Sequence, residues 1–403
     1  MAKLSYEAFQ IECWKARTEG VFNERGFTAE DLEIALLHRV DRELCRQVFP
    51  EETVGRVAKD AFLGHLKLMD LVRGVLVGSG DPVLKNHSLY GPDQIELLRA
   101  GFSTGTLSNV LGNVAGKIAL KSFGLASGNW QAWTSKGELP DFKDAKLVRM
   151  QSDLGFEKIG SGGEINYANR TEDAETISLD TYASNFGLTR QDALNDDLGV
   201  FKRLGDYFGI RATQKLAKAI YTLLLSNPTM SDSLAVFHAT HGNLKTSSAL
   251  TPDTLAVAVQ GFRNQTDTSG EPIDLPPKYL LVPSALEETA KQLCYSEFIQ
   301  PFGGGSAANR APNKNIWFGK LEPIAEPRLE NANYSGSSAT SWYLVGDPEI
   351  CDTLTVAGLD EAPPVPKVEE LPAGPDRMGV IFRVFIDFGV AFGDYRNIQL
   401  NQA

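Results

Sequence analysis

Cysteine, histidine and long apolar runs are scarce in this chain. It has four cysteines and five histidines among 403 residues. No two cysteines are spaced as C-x-x-C, so no zinc or redox motif is supported, and we expect reduced thiols that pack in the core. The four are Cys13, Cys45, Cys294 and Cys351. No stretch approaches the roughly 18 apolar residues of a membrane span, and the N-terminus lacks the pattern of a secretory signal. These absences predict a soluble protein that is not secreted and has no membrane contact.

Basic charge is also in short supply. Lysine and arginine number 39 against 51 acidic residues, which gives a formal net charge of −12. Dedicated nucleic-acid-binding proteins need clustered cations to displace the counterions of phosphates, so the composition argues against that class. A hydrophobic content of 42% over this length is sufficient for more than one core. We therefore expect a globular protein with two or more subdomains.

The most informative pattern present is one long helix, predicted from Thr189 to Ser226. Thr189 is suited to cap the first turn, and Asn227-Pro228 ends the run. At about 1.5 Å per residue the helix would be roughly 55 Å long, which is unusual for a compact domain. Its apolar residues recur mostly four apart, at Leu194, Leu198, Phe201, Leu204, Phe208, Ala212, Leu216, Ile220 and Leu224. It could kink at its glycines, which are Gly199, Gly205 and Gly209.

An acidic, glycine-centred segment over residues 150–187 precedes this helix and has the pattern of an extended hairpin. In this order the two features resemble the major capsid proteins of tailed bacteriophages, of the Mu-type and prohead-protease-fused groups. The resemblance extends from near Phe102 to the end of the chain. The strings that carry it are Leu154–Ile165, Phe186–Leu198, Asn227–Met230, Phe237–Leu244, Tyr279–Glu287, Pro323–Leu329, Ser341–Pro348 and Phe388–Arg396.

The resemblance implies an α+β Hong Kong 97-type capsid fold with a long spine helix, an extended β-hairpin loop, and peripheral and axial domains, plus a helical N-terminal extension. The expected segments are an N-terminal extension at 1–100, an N-terminal arm at 101–149, the hairpin loop at 150–187, a peripheral domain at 188–250 and 366–403, and an axial domain at 251–365. In fused relatives the first region adjoins a scaffolding segment. Residues 1–100 are therefore interpreted either as a retained arm or as an internal scaffold.

Local patterns refine this expectation. A capping signal at Thr28–Asp31 and apolar residues at every fourth position from Leu32 to Val48 predict a helix, and a second helical run covers 61–77. The further expected elements are helices at 103–120, 251–265 and 285–295, an extended arm at 130–149, strands at 278–282, 317–324, 342–345 and 353–357, a linker at 363–375 and a final strand from Val380. Trp130 and Trp133 are interpreted either as anchors on a neighbouring subunit or as markers of a ligand pocket.

Three motifs suggest chemistry, and each has a simpler explanation. Gly101–Gly105 matches the G-x-S-x-G nucleophile elbow around Ser103, but the preceding residues have a helical pattern, so a helix cap is favoured. His238 and His241 could bind a metal ion, yet no complete ligand set is apparent nearby, which favours a loop with hydrogen-bonding histidines. Gly112–Lys117 is one residue short of a P-loop. The sequence therefore predicts no catalytic, cofactor or metal site, and no enzyme.

Charge identifies candidate subunit contacts. From 150 to 187 the chain has seven acidic residues and two basic ones, so the predicted hairpin needs cations on the surface that receives it. The candidates are Glu157, Lys158, Glu164, Glu172, Asp173, Glu175, Arg190, Lys202, Arg203, Arg211 and Lys215. The function implied is a major capsid protein that self-assembles into the icosahedral head shell around phage double-stranded DNA, without reading its sequence. A serine hydrolase or prohead protease built on Ser103 is the alternative.

The implied partners are copies of the chain itself, in pentamers and hexamers. Portal, scaffold and minor or decoration head proteins would contact the same shell. The implied location is the virion, after assembly in the cytoplasm of the host bacterium.

Overall fold

The computed structural model describes residues 29–59, 105–126, 128–148, 174–189, 198–266, 270–299, 313–371 and 379–403. The chain divides into two compact units. The first comprises Met1–Ala126, Thr181–Thr213 and Val365–Ile386, and the second comprises Ser127–Asp180, Gln214–Pro364 and Asp387–Ala403. Both contain helices and strands, so the predicted α+β class is confirmed. No helix of the described ranges is long and apolar enough to span a bilayer.

Eight helices and fourteen strands occur in the described ranges. The helices are α1 (Ala29–Val40), α2 (Arg42–Val48), α3 (Glu51–Lys59), α4 (Gly105–Leu125), α5 (Trp130–Trp133), α6 (Leu198–Ser226), α7 (Pro252–Arg263) and α8 (Glu287–Tyr295). The strands are β1 (Ser135–Leu139), β2 (Ala145–Val148), β3 (Ala174–Ile177), β4 (Asp180–Thr189), β5 (Leu244–Lys245), β6 (Pro277–Val282), β7 (Phe298–Ile299), β8 (Asn313–Lys314), β9 (Glu322–Ala325), β10 (Trp342–Gly346), β11 (Leu354–Leu359), β12 (Lys367–Leu371), β13 (Gly379–Phe392) and β14 (Ile398–Asn401).

The first unit is built around α4, which packs against α1 and β12. Fully buried side chains come from both helices, such as Ile34 and Leu37 on α1 and Val114 and Ile118 on α4. Strand β12 pairs antiparallel with β13. It lies within the segment predicted as a linker at 363–375, so that prediction is wrong. The prolines on both sides of Lys367–Leu371 favoured a linker, but these residues form a short strand whose register is set by pairing with β13.

The N-terminal helical run breaks where the sequence predicted none. Helix α1 ends at Val40, and Asp41 caps α2 by accepting a hydrogen bond from the Leu44 backbone N–H at 3.0 Å. The buried residues Leu32, Leu36 and Leu44 keep the four-residue spacing across this break, whereas Val48 at its end is 43% exposed. The predicted helix at 61–77 lies outside the described residues.

The long helix α6 ends at Ser226, as predicted, but Thr189 is the last residue of strand β4 instead of a helix cap. Residues 190–197 lie outside the described ranges. The helix is continuous through Gly205 and Gly209. A Cβ at Gly209 would lie 2.3 Å from the Ala119 carbonyl oxygen, so this glycine permits close contact with α4 instead of a kink.

The second unit contains a five-stranded sheet in the order β5-β14-β10-β6-β9. Its core includes Leu280, Val282 and Leu344 from the sheet, packed with side chains from α7 and α8. Helix α7 begins with a capping box at Thr251, as the sequence indicates. In the same unit β1 pairs parallel with β11.

The tryptophans expected in an extended arm lie in the short helix α5 of the second unit. Trp130 and Trp133 are fully buried, and the Trp133 indole N–H lies 3.4 Å from the Tyr221 hydroxyl. Both expectations for them, anchors on a neighbouring subunit and a ligand pocket, are therefore wrong. The aromatic area of both rings packs inside the subunit, and the indole N–H of Trp133 has a polar partner there.

Three cysteines are described, and all are free and buried. Burial raises the pKa of Cys45 and of Cys294 to about 11 and that of Cys351 to about 12. A thiol with a raised pKa carries little of the reactive thiolate. The prediction of packing thiols is confirmed for these three, and Cys13 lies outside the described residues.

Candidate functional site

The described base of the predicted hairpin is a two-stranded ribbon in the second unit. Strands β2 and β3 pair antiparallel, from Ala145 opposite Ile177 to Val148 opposite Ala174. One face of the ribbon is fixed by a small core in which Ile177 packs with Leu147, Ala357 and other apolar groups. Beyond the Val148–Ala174 pair the chain continues into residues 149–173. The paired strands therefore begin at residue 145, earlier than the predicted hairpin limit of 150.

Most of the candidates in and just after the hairpin fall outside the described residues. These are Glu157, Lys158, Glu164, Glu172, Asp173 and, after the hairpin, Arg190. Glu175 is described and lies on β3, on the same face as Ile177. Its carboxylate accepts a hydrogen bond from the Ser231 backbone N–H at 2.9 Å. Glu175 thus has a partner within its own subunit, which the sequence did not predict.

The four cationic candidates that the structure describes lie on α6. In the first unit Arg203 and Arg211 are exposed, and the Arg211 guanidinium lies 4.8 Å from the ring centre of Tyr207, which is 50% exposed. Such a cation over an aromatic face is a common feature of contact surfaces. Lys202 is 3.4 Å from the Asp41 carboxylate, so it has an ion-pair partner within the first unit. Lys215 is exposed on the part of α6 that belongs to the second unit.

The Asp41 carboxylate forms ion pairs with two lysines in the first unit. Its carboxylate lies 2.9 Å from the Lys121 ammonium and 3.4 Å from that of Lys202. Burial would raise the pKa of Asp41, but the hydrogen bonds from Lys121 and the Leu44 backbone, together with the charge of Lys202, lower it to about 2. A second ion pair, between Glu33 and Lys117, also joins α1 to α4. These contacts tie the N-terminal helices to the first unit.

The two histidines lie in a loop, as predicted. The ring of His241 is almost fully buried and stacks on Tyr395 at 3.8 Å. Its Nδ1 lies 3.0 Å from the Val236 carbonyl oxygen and its Nε2 lies 2.8 Å from the Asp232 carboxylate. His238 accepts a hydrogen bond from the Thr240 backbone N–H through Nδ1. The two rings therefore belong to separate hydrogen-bonding arrangements.

Sequence reasoning missed the partners of His241. Asp232 is nine positions upstream, and the only available signal was the polar run Ser231–Ser233, which is typical of a turn. That signal predicts the turn and not its contact with a histidine. Among the described residues no group of three or more histidine, cysteine, aspartate or glutamate side chains is arranged to hold a metal ion. Ser103 lies outside the described ranges.

A family assignment decides between the shell and the hydrolase. A sequence profile described as phage capsid protein matches residues 172–401, which is more than half of the chain. The chain belongs to the phage capsid protein family. This phage capsid protein is therefore a shell subunit, and the predicted Hong Kong 97-type fold with a helical N-terminal region is confirmed. The match includes β3, α6 and the strands of the second unit's sheet. The hydrolase alternative at Ser103 gains no support.

Three solved structures show a distant likeness to the phage capsid subunit. The virus-like particle from Pyrococcus furiosus is 11% identical, with a TM-score of 0.40 over 71% of this chain and 97% of that one. The capsid of Cyanophage P-SCSP1u is 13% identical, with a TM-score of 0.40 over 68% and 88%. A phage-related protein from Bordetella bronchiseptica RB50 is 10% identical, with a TM-score of 0.43 over 70% and 94%. No curated protein matches the chain.

Proposed function

We propose that this subunit forms the icosahedral head shell of a tailed phage of the Mu-type or prohead-protease-fused group. It encloses double-stranded DNA through a repeated wall of copies in pentamers and hexamers, and it has no enzymatic role. Portal, scaffold and minor or decoration proteins are its further partners, and assembly takes place in the host cytoplasm before the virion forms. The family match over residues 172–401 supports this proposal more than any other observation.

The proposed division of labour follows the segments set out from the sequence. Residues 188–250 and 366–403 form the peripheral domain around the spine helix α6, and residues 251–365 form the axial domain that closes pentamers and hexamers. The hairpin at 150–187 reaches a neighbouring subunit, and residues 101–149 act as an arm. Residues 1–100 remain with the shell, a role supported by the ion pairs from α1 and Asp41 to α4.

We propose further that the hairpin docks by charge. Its net negative charge requires cations on the receiving subunit. The exposed ones include Arg203, Arg211, Lys215, Lys136 and Lys146. Exposed ion pairs contribute only about 0–1 kcal/mol each, but every subunit repeats them. We expect Glu172→Lys to reduce shell yield at low salt, and added salt to narrow the difference from wild type by screening. Equal yields at low salt would exclude electrostatic docking through Glu172.

The shell function is tested by the size of the purified protein. Electron microscopy and sedimentation should show closed particles or capsomers of megadalton mass. A small species that a serine-reactive probe labels at Ser103 would instead support the hydrolase. Ser103→Ala provides the matched control, because it should leave particle formation unchanged if the protein is structural.

A further inference from the structure

The strongest unexplained feature is a hydrogen-bonded loop, residues 227–243, that contacts the base of the β2–β3 ribbon. We name it the anchoring loop. We propose that Glu175 and the anchoring loop position the ribbon for contact with a neighbouring subunit. Glu175, Asp232 and His241 are then positioning residues in shell assembly. This inference rests on the proposed shell function.

The anchoring loop is closed at both ends by backbone and side-chain contacts. The Asn227 side chain accepts from the Phe237 N–H at 2.7 Å and donates to the Phe237 carbonyl oxygen at 3.2 Å. Nearer the tip, the Met230 N–H donates to the Leu234 carbonyl oxygen at 2.8 Å. Ser233 has a φ of 67°, the left-handed conformation that a tight turn requires. The loop backbone is therefore held in one path.

The tip of the anchoring loop is also tied to the buried interior. Asp232 accepts from the Leu234 N–H at 2.9 Å through one carboxylate oxygen and lies 2.8 Å from His241 Nε2 through the other. His241 in turn faces the Val236 carbonyl oxygen and stacks on Tyr395. Both ring nitrogens of His241 thus face oxygen atoms of the anchoring loop. The result is that the Ser231 N–H is presented at a fixed place.

The ribbon contacts the Ser231 N–H through the carboxylate of Glu175, which accepts its hydrogen bond. Ile177 and Glu175 share one face of β3, and Leu147 lies opposite Glu175 on β2. Ile177 is 2% exposed and anchors the ribbon by apolar packing, whereas Glu175 lies two pairs further out, towards residues 149–173. There the hydrogen bond to Ser231 continues the attachment beyond the apolar core. A ribbon held only at Ile177 could swing about that point, and the second attachment limits the swing.

The inner end of the ribbon is fixed as well. A Cβ at Gly389 would lie 2.1 Å from the Ser178 carbonyl oxygen, so β13 passes directly against the residue that follows β3. The Gly389 contact at Ser178, the apolar core at Ile177 and the hydrogen bond at Glu175 therefore attach this segment of the chain at three successive places. Three points determine the direction of a strand, and shell closure depends on the direction in which each subunit presents its contacts.

The test compares Glu175→Lys, Glu175→Gln and Asp180→Lys in the full chain. Glutamine keeps an oxygen that accepts from Ser231, whereas lysine does not. Asp180 is exposed on β4, so Asp180→Lys makes the same change of charge away from the loop. We expect Glu175→Lys to give about tenfold fewer closed shells than Asp180→Lys, which shares its change of hairpin charge, at an unchanged melting temperature of the dissociated subunit. Glu175→Gln should assemble nearly as wild type does. Asp232→Ala should reproduce the loss without touching β3.

Several outcomes would overturn the positioning role. Glu175→Gln as defective as Glu175→Lys would mean that the charge of Glu175 acts on another subunit. Equal defects in Glu175→Lys and Asp180→Lys would mean the same. Hydrogen exchange of the Ser231 amide in unassembled protein gives an independent decision, because it should accelerate in Glu175→Lys and not in Glu175→Gln. If the wild-type chain forms no shells, the proposed function fails, while the exchange measurement still decides whether Glu175 holds the loop.

Discussion

At the residue scale, Gly209 lies where α6 comes closest to α4 in the first unit. A Cβ there would lie 2.3 Å from the Ala119 carbonyl oxygen and 2.7 Å from the Phe123 backbone nitrogen. Backbone atoms of a helix cannot move aside singly, so the two helices must separate. We expect Gly209→Ala to lower the free energy of unfolding by about 1–3 kcal/mol, the usual range for overpacking. Urea denaturation of the dissociated subunit measures it.

The matched control is Gly124→Ala on α4, where an added Cβ meets nothing within 4 Å. This change should raise the free energy of unfolding by about 0.5–1 kcal/mol, because alanine favours a helix more than glycine does. Destabilisation by both variants to the same degree would contradict the argument that a steric contact at Gly209 sets the helix separation.

Asp41 predicts an acid-sensitive step. The pKa of Asp41 in the folded protein is about 2, below the ordinary value of 3.8. The ionised carboxylate therefore stabilises the fold at any pH above 3.8. That stability, of about 2 kcal/mol, is lost as pH falls from about 5 to about 2. Asparagine also caps helices, so Asp41→Asn keeps the cap and removes the charge. We expect the variant to be less stable at neutral pH and to lose less stability than wild type over this pH range, measured by denaturation at each pH. An identical pH profile would exclude Asp41 as the titrating group.

The limits of sequence reasoning at this scale are clear from Asp41 and His241. The sequence places His241 correctly in a loop, but it puts Asp41 inside a continuous helix instead of at a cap. It cannot show that Asp41 meets Lys121, eighty positions away, or that His241 stacks on Tyr395. Local patterns report the backbone conformation of neighbours in sequence, whereas these partners come together only when separate elements pack.

At the element scale, the β2–β3 ribbon allows the contributions to folding and to assembly to be measured separately. Deleting residues 150–172 and joining the ends with a short glycine linker keeps β2, β3 and the buried Ile177. We expect this variant to fold with a melting temperature close to wild type and to form no closed shells, because the contact with a neighbour is lost. Circular dichroism and electron microscopy measure the two properties.

A longer deletion, 155–178, serves as the contrasting variant. It removes Ile177 from the core around Ala357 and Ala391, so it should also lower stability, by about 2–5 kcal/mol for the loss of this buried side chain alone. If the shorter deletion assembles normally, residues 150–172 have no role in the shell contact.

Elements with strong local signals were predicted well. The end of α6 at Asn227-Pro228 and the cap of α7 at Thr251 follow from backbone chemistry that acts over a few residues. Strand β12 was missed because prolines on both sides suggested a linker, although its pairing with β13 supplies the missing stability. Helix α5 was missed because four residues are too few to show a helical period.

At the scale of the whole molecule, the N-terminal helices belong to the first unit's core. Helix α1 buries Leu32, Ile34, Leu36 and Leu37 almost completely. A buried aliphatic side chain contributes about 1.5–3 kcal/mol to stability. The loss of all four would therefore remove much of the roughly 5–15 kcal/mol by which a folded protein is stable. We expect a chain lacking residues 1–59 to aggregate, and one lacking only 1–28 to fold.

Mass spectrometry of mature particles provides the second measurement. It should find residues 29–59 in the shell subunit. A mature subunit that begins near residue 100, with particles intact, would show that these helices are a removable scaffold and would contradict the retained role.

The position of β14 has a consequence for synthesis. Residues 398–401 pair with β10 on one side and β5 on the other, so the strand that is synthesised after the other four of this sheet lies inside it. Until those residues emerge, β5 and β10 have no strand between them, and the second unit cannot close its core. Translation products that stop before residue 398 therefore stay unfinished and open to proteases. A shell is built from many identical copies, and a subunit can fold its second unit only after β14 has been synthesised. Truncated subunits are in this way kept out of the shell.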